Sequence, residues 1–268
     1  MNRIDAKFRQ LKEQKRKGFI AYITAGDPDL GTTERLVPAL AENGVDIIEL
    51  GVPFSDPMAD GPTIQKAAQR ALKKKVTLKK IIGAVNRIRR KSDIPIVLFT
   101  YLNPVFRYGW RKFAREAGRA GIDGILVLDL PVEESEQERK LLKEYGVEMI
   151  YLTAPTSSDK RIKMITAKGE GFIYYVSRTG VTGMKRQVAK GVKTMVDKIK
   201  RYTVLPVAVG FGISRPEHVK QVARYADAVV VGSAIVAQIE KNIDRKDLVD
   251  RVGRFTAYLV GRNKGKKR

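Results

Sequence analysis

DIIELGVPFSDPMADGP, residues Asp46–Pro62, opens as a short apolar strand, sets a carboxylate near its end at Glu49, and breaks through Gly51 and Pro53 into a loop holding two more acids, Asp56 and Asp60. Side chains alternate along a strand, so Ile47 and Glu49 share one side while Ile48 and Leu50 share the other. Apolar residues on both sides are the pattern of a parallel strand covered on both faces. Glu49 then points either under covering helices, where an unpaired ion is costly, or into a barrel mouth. In a mouth, desolvation raises its pKa and suits it to acid–base chemistry. The mouth is the cheaper placement, and parallel α/β proteins keep their chemistry at the carboxyl ends of strands. A strand-end Glu paired with a neighbouring Lys is the structural alternative.

The same strand-then-helix unit recurs on either side. Before this stretch, Phe19–Thr24 is β-rich and stops at Ala25-Gly26-Asp27-Pro28, and Thr32–Asn43 has helical spacing closed by Gly44. After it, helices are expected at Pro62–Lys75, Leu78–Lys91, Trp110–Ala120, Glu133–Tyr145, Asp159–Lys168, Lys190–Tyr202, Pro216–Tyr225 and Arg245–Arg262. Strands are expected at Pro95–Thr100, Gly124–Leu128, Val147–Leu152, Phe172–Val176, Val207–Val209 and Ala228–Val231. About eight such units predict an α/β protein, a single (β/α)8 TIM barrel over residues 1–268. Ile4, Phe8 and Leu11 add an N-terminal helix, and residues 261–268 read as a flexible basic tail. An open doubly wound sheet would want fewer strands and a glycine-rich fingerprint after the first, which Ala25–Pro28 is not.

Barrels commonly bind phosphate with the loops after strands seven and eight and the N-terminus of a short extra helix. Gly210-Phe211-Gly212-Ile213-Ser214 and Gly232-Ser233-Ala234-Ile235 occupy those two places. Ser177–Gly183, SRTGVTG, follows strand six with the glycine and hydroxyl content of a lid. Plainer readings stand beside these. Ser214 and Glu217 form an S-x-x-E capping box, Asp60 before Gly61-Pro62 sits where an N-cap belongs, and Asp56 fits an Asx turn. For Asp60, cap and catalyst are equal on these grounds. Tyr22, Tyr101 and Phe211 stand at strand ends and either wall an aromatic ligand or pack the core.

Composition narrows the function. With no cysteine and one histidine, His218, neither a disulfide framework nor a thiolate or histidine metal centre is expected. No window is apolar enough to span a membrane and the leading segment lacks a signal-peptide core, so a cytoplasmic enzyme is expected. The formal net charge of +23 would draw in an anionic substrate. Its basic residues are spread over nearly every helix without an aromatic RNA-binding box or zinc-finger spacing, which argues against nucleic acid as the main ligand.

Seven motifs together resemble one family. ELGVPFSDPMADGPTIQ at Glu49–Gln65, ITAGDP at Ile23–Pro28, YLNPVF at Tyr101–Phe106, DLPVEES at Asp129–Ser135, SRTGVTG at Ser177–Gly183, GFGIS at Gly210–Ser214 and GSAIV at Gly232–Val236 are similar to the tryptophan synthase α subunit. The resemblance implies a cofactor-free lyase of tryptophan biosynthesis that cleaves indole-3-glycerol phosphate to indole and glyceraldehyde 3-phosphate by a retro-aldol step. It implies Glu49 as the acid–base group, with Asp60 accepting the indole N–H and Tyr174 and Thr182 in support. Gly183, Gly212, Gly232 and Ser233 would hold phosphate, and Tyr22, Phe99, Leu126 and Phe211 would enclose indole. It further implies an α2β2 complex, with Asp56 and Pro57 facing a β subunit that carries pyridoxal phosphate. The alternatives are a stand-alone indole-glycerol-phosphate lyase, another phosphate-binding barrel enzyme, or a basic barrel that binds nucleic acid.

Overall fold

The computed structural model describes residues 1–177, 186–210 and 212–262. Eight parallel strands close in chain order: β1 (Gly18–Thr24), β2 (Ile47–Gly51), β3 (Ile96–Thr100), β4 (Gly124–Val127), β5 (Glu148–Thr153), β6 (Ile173–Val176), β7 (Val207–Gly210) and β8 (Ala228–Val231), with β8 pairing back onto β1. The helices are α1 (Arg3–Glu13), α2 (Leu30–Glu42), α3 (Pro62–Lys73), α4 (Leu78–Arg89), α5 (Leu102–Tyr108), α6 (Trp110–Ala120), α7 (Glu136–Glu144), α8 (Asp159–Lys168), α9 (Arg186–Lys200), α10 (Pro216–Ala223), α11 (Ser233–Lys241) and α12 (Leu248–Val260). The expected (β/α)8 barrel with its N-terminal helix is the observed architecture.

Two helices escaped the sequence reading. Helix α5 carries Pro104 in its first turn, where the missing N–H removes no helical bond. In α11, Gly232 and Ser233 read as a phosphate loop, and Ile235, Val236 and Ile239 behind them are buried at helical spacing. Helix α7 also starts at Glu136 rather than Glu133, because Glu134 N–H turns back to the Pro131 carbonyl at 3.0 Å.

Alternation sorts the strands as expected. Phe19, Ala21, Ile23, Ile48, Leu50, Ile96 and Leu98 pack outward in the main core under the helices. Ile20, Ile47, Val97, Leu126, Ile150, Phe172, Ala208 and Val230 fill the barrel interior. Helix α1 plugs the N-terminal end, with Ile4, Phe8 and Leu11 joining that interior cluster and the Phe8 and Phe172 rings 5.7 Å apart. The far end, where the strands finish, is left as the open one.

Three acids staple the closed end. Asp46 accepts from Phe19 N–H at 2.9 Å, Asp123 from Ile96 N–H at 2.8 Å and Asp227 from Val207 N–H at 3.0 Å. Each acid stands just before a strand and ties down the strand preceding it. Each also has a cation, from Arg16, Arg89 and Lys200 respectively. Pairing of this kind offsets the desolvation of an ionised carboxylate.

Candidate active site

Glu49 lies on β2 in register with Tyr22 of β1 and Val97 of β3. It is 1% exposed, and neither carboxylate oxygen has a hydrogen-bond partner among the described residues. Burial pushes its carboxyl up to about 8, and no cation among the described residues opposes the shift. At neutral pH the group is therefore mostly a carboxylic acid, able to give a proton. The Lys-paired alternative for Glu49 does not hold.

The loop after β2 brings Asp60 to the same mouth. Its Oδ2 accepts from the Tyr101 hydroxyl at 3.3 Å, and its carbonyl accepts from Gln65 Nε2 at 2.9 Å. Burial raises the Asp60 pKa and the Tyr101 hydrogen bond partly offsets it. The N-cap of α3 is Gly61, with Pro62 in the first turn, and no side chain caps that helix. The capping role for Asp60 is thus corrected: Gly61 and the fixed φ of Pro62 start the helix without it. Tyr101 braces the loop rather than walling the cavity, since its hydroxyl also accepts from Ala59 N–H at 3.0 Å and its ring lies 5.1 Å from that of Phe54.

Asp60 and the loops after β7 and β8 line a cavity of about 790 Å³; Glu49 is not among its lining residues, but its register neighbour Tyr22 is. Tyr22, Phe99, Leu128, Leu152 and Tyr174 supply its apolar wall, and Gly212, Ser214, Gly232 and Ser233 its polar end. The aromatic wall is ordered edge to face, with Tyr22 and Phe99 centroids 5.4 Å apart at 81° and Phe99 and Tyr174 6.4 Å apart. Two glycines seat the tyrosines. A methyl group on Gly51 would overlap the Tyr22 hydroxyl, and one on Gly210 would overlap that of Tyr174. Burial raises both phenols far above their ordinary value, so they stay neutral.

The polar end is built as barrel phosphate sites are. Gly232 is the N-cap of α11 and Ser233 its first residue, so the first-turn N–H groups and the helix dipole favour an anion there. Ser214 does not cap α10, whose N-cap is Arg215 with no side-chain cap bond. The expected capping box is corrected, because Pro216 opens the helix one residue later than the box requires, and Ser214 lines the cavity instead.

Of the other expected site residues, Leu126 lies one layer below the cavity, in the interior cluster. Leu128, next on the same side of the strand line, reaches the cavity, and continuing the two-residue alternation past Leu126 would have found it. Leu152 follows Ile150 in the same way, whereas Ile64 enters from α3 and had no sequence signal. Thr182, Gly183 and Phe211 lie outside the described residues. Asp56 and Pro57 sit on the outer part of the Asp60 loop and do not line the cavity. Asp56 is exposed, and it takes the Ser55 hydroxyl at 2.5 Å rather than forming an Asx turn. Among the described residues no cluster of His, Asp or Glu could hold a metal ion, and no helix is long and apolar enough to cross a membrane.

Comparison with known proteins agrees with this geometry. The family model for the tryptophan synthase alpha chain matches residues 8–258. The tryptophan synthase alpha chain of Thermoanaerobacter sp. (strain X514) is 48% identical over 97% of this chain and 98% of its own length. That of Geobacter sulfurreducens is 48% identical over 98% and 94%. Among solved structures, tryptophan synthase subunit alpha from Legionella pneumophila str. Paris superposes with a TM-score of 0.91 at 38% identity, covering 98% of both chains. A chain from the tryptophan synthase α2β2 complex of Pyrococcus furiosus gives 0.84 at 40% identity, over 91% of this chain and 98% of that one. With a closed barrel, paired acids at its mouth and this degree of likeness, the chain belongs to the tryptophan synthase alpha chain family, lyases that cleave indole-3-glycerol phosphate.

Proposed function

We propose that Glu49 and Asp60 carry out the cleavage of indole-3-glycerol phosphate to indole and glyceraldehyde 3-phosphate in the cavity described above. The carbon–carbon bond to be broken joins indole C3 to the glycerol chain, and an aromatic carbon leaves only after it is protonated. Glu49, neutral at pH 7 because it is buried, donates its proton to C3. The resulting carboxylate takes the proton of the adjacent glycerol hydroxyl, the carbon–carbon bond breaks, its electron pair returns to the ring, and the hydroxyl carbon becomes the aldehyde. Asp60 accepts the indole N–H and stabilises the positive charge that develops on the protonated ring.

Tyr22, Phe99 and Leu128 enclose the indole, Tyr174 stands by the reacting chain, and Gly212, Gly232 and Ser233 hold the phosphate. Thr182 and Gly183 carry the same assignment by resemblance. The observation that carries this reading is the unpartnered, fully buried carboxyl of Glu49 at a mouth it shares with Asp60. A structural acid in that position would have a cation, as Asp46, Asp123 and Asp227 do. Measuring indole release from indole-3-glycerol phosphate tests it: the wild type turns over and Glu49→Gln does not. No indole from the wild type, with or without a β subunit, refutes the reading.

The relative from Pyrococcus furiosus was solved as an α2β2 complex. We take this chain to dock a β subunit in the same way, through the Asp56–Pro57 loop, where Met58 is 92% exposed. Pyridoxal phosphate then belongs to the β partner, this chain works as one cytoplasmic barrel domain without a cofactor, and the indole passes to that partner. Titration with a β subunit, read as a rise in indole release, tests the docking.

A further inference from the structure

The two halves of the site start two helices that lie side by side. Asp60 immediately precedes α3, and Gly232–Ser233 open α11. Along their length the helices meet through a small buried cluster of Ala67 from α3, Val236 from α11 and Tyr22 from β1, with Ile64 and Phe99 packed against it. Beyond that cluster, toward their far ends, the contact becomes polar and centres on Arg70.

Arg70, in the last turn of α3, uses all three of its guanidinium nitrogens. Nε and Nη2 donate to the two carboxylate oxygens of Asp27 at 2.7 and 2.9 Å, and Nη1 donates to Glu240 Oε1 in the last turn of α11 at 2.9 Å. Asp27 belongs to the loop after β1, and its side chain is completely buried, whereas those of Arg70 and Glu240 are 22% and 39% exposed. That loop is itself fixed, because Gly26 N–H donates to the buried Thr33 hydroxyl at 2.9 Å and Asp27 N–H to the Thr24 carbonyl at 3.3 Å. One planar fork therefore joins a strand-end loop, the helix behind Asp60 and the helix behind the phosphate end of the cavity.

We propose that Arg70 is a positioning residue for the cleavage: by gripping Asp27 and Glu240 together it sets the Asp60 loop at a fixed distance from the phosphate cradle at Gly232–Ser233. This rests on the reading of the cavity given above. A buried ion pair adds little net stability over a well-packed apolar contact, and the Ala67–Val236 contact already holds the two helices together. What an Arg–carboxylate fork adds is direction, through two parallel hydrogen bonds that a lysine cannot reproduce. Direction matters here because the substrate spans both ends: its phosphate is held by one helix and its indole N–H by the loop before the other. A displacement of about 1 Å between such groups can lower the rate on the order of a hundredfold.

Three variants decide the matter. Glu240→Ala removes one arm at a half-exposed position, Glu240→Gln keeps an acceptor for Nη1, and Arg70→Lys keeps the charge but loses the fork. Each is measured for kcat and KM of indole release, for the Kd of indole-3-propanol phosphate by calorimetry, an analogue that reaches both ends of the cavity but has no hydroxyl to deprotonate, and for thermal midpoint. Expected are a rise in KM and in Kd of roughly fivefold or more for Glu240→Ala with the midpoint nearly unchanged, recovery toward wild type in Glu240→Gln, and a loss in kcat/KM on the order of a hundredfold for Arg70→Lys. If Glu240→Ala and any folded Arg70→Lys keep wild-type KM and Kd, or if activity falls only with the folded fraction, Arg70 is a structural ion pair and the proposal fails. The Kd arm needs no turnover, so it decides the role of Arg70 even if the wild type released no indole, an outcome that would instead overturn the assigned reaction.

Discussion

Replacing Glu49 by Gln should abolish catalysis and make the barrel more stable, and the second effect should depend on pH. The folded-state pKa of Glu49 is raised from 4.5 to about 8 by burial alone. Between those two values the folded state holds a proton that the unfolded chain has lost. Stability is therefore fully present below about 4.5 and falls as pH rises through the window, reaching its full loss above about 8. At about 1.36 kcal/mol per pKa unit the loss is at most about 5 kcal/mol, and relaxation of the site should bring it to roughly 2–4 kcal/mol. Glutamine has nothing to ionise, so the variant escapes this loss. The difference in thermal midpoint between Glu49→Gln and wild type should be near zero at pH 5 and should grow to roughly 4–16 °C at pH 9, at about 2–4 °C per kcal/mol for a chain of this size. All other groups titrate in both proteins and cancel in the difference. Indole release by the wild type should fall above about pH 8, as the donor loses its proton, while the variant should be slower by at least about a hundredfold at every pH. A midpoint difference that stays flat from pH 5 to 9 would refute the reasoning, for it would mean that Glu49 is ionised and neutralised by a partner the geometry does not contain.

Asp60→Asn should lose at least about a hundredfold in kcat with a thermal midpoint within roughly 2 °C of wild type, since the side chain accepts one long hydrogen bond from Tyr101 and caps no helix; a large fall in midpoint would restore the capping role. Gly51→Ala should lower kcat/KM by about tenfold and cost roughly 1–3 kcal/mol by driving Tyr22 from its seat, and Tyr22→Phe added to it should recover only part of the stability loss, because the added methyl overlaps ring carbons of Tyr22 as well as its hydroxyl. Asp46→Ala should cost roughly 3–5 kcal/mol in urea denaturation, leaving Phe19 N–H and Arg16 without their partner, yet indole release per folded molecule should be unchanged because Asp46 is at the closed end.

The acids of this chain show what a sequence can and cannot say about a site. Asp46, Glu49, Asp123 and Asp227 all stand at or near strands, and by residue type they are equivalent. The two-residue alternation was enough to turn Glu49 inward, and the strand-then-helix rhythm was enough to set it at the mouth, because both follow from local geometry repeated along the chain. Partners are different. Arg89 reaches Asp123 across 34 positions and Arg70 reaches Glu240 across 170, separations at which no spacing rule operates, so the Asp27–Arg70–Glu240 junction had no sequence signature. The same limit explains Asp60: Asp-Gly-Pro before a helix is a good local reason for a cap, and only the closed structure gives that role to Gly61 and turns the carboxylate toward Tyr101. Local rules thus gave the direction of Glu49, and long-range pairing separates it from the acids of the closed end. Of these four, the acids with cations tie strands together at the closed end, and Glu49 has no hydrogen-bond partner among the described residues. A buried carboxyl without a cation is destabilising once ionised. Its persistence at the open end, beside a cavity with a phosphate-type helix terminus at the other side, is the physical reason to assign it the proton transfer.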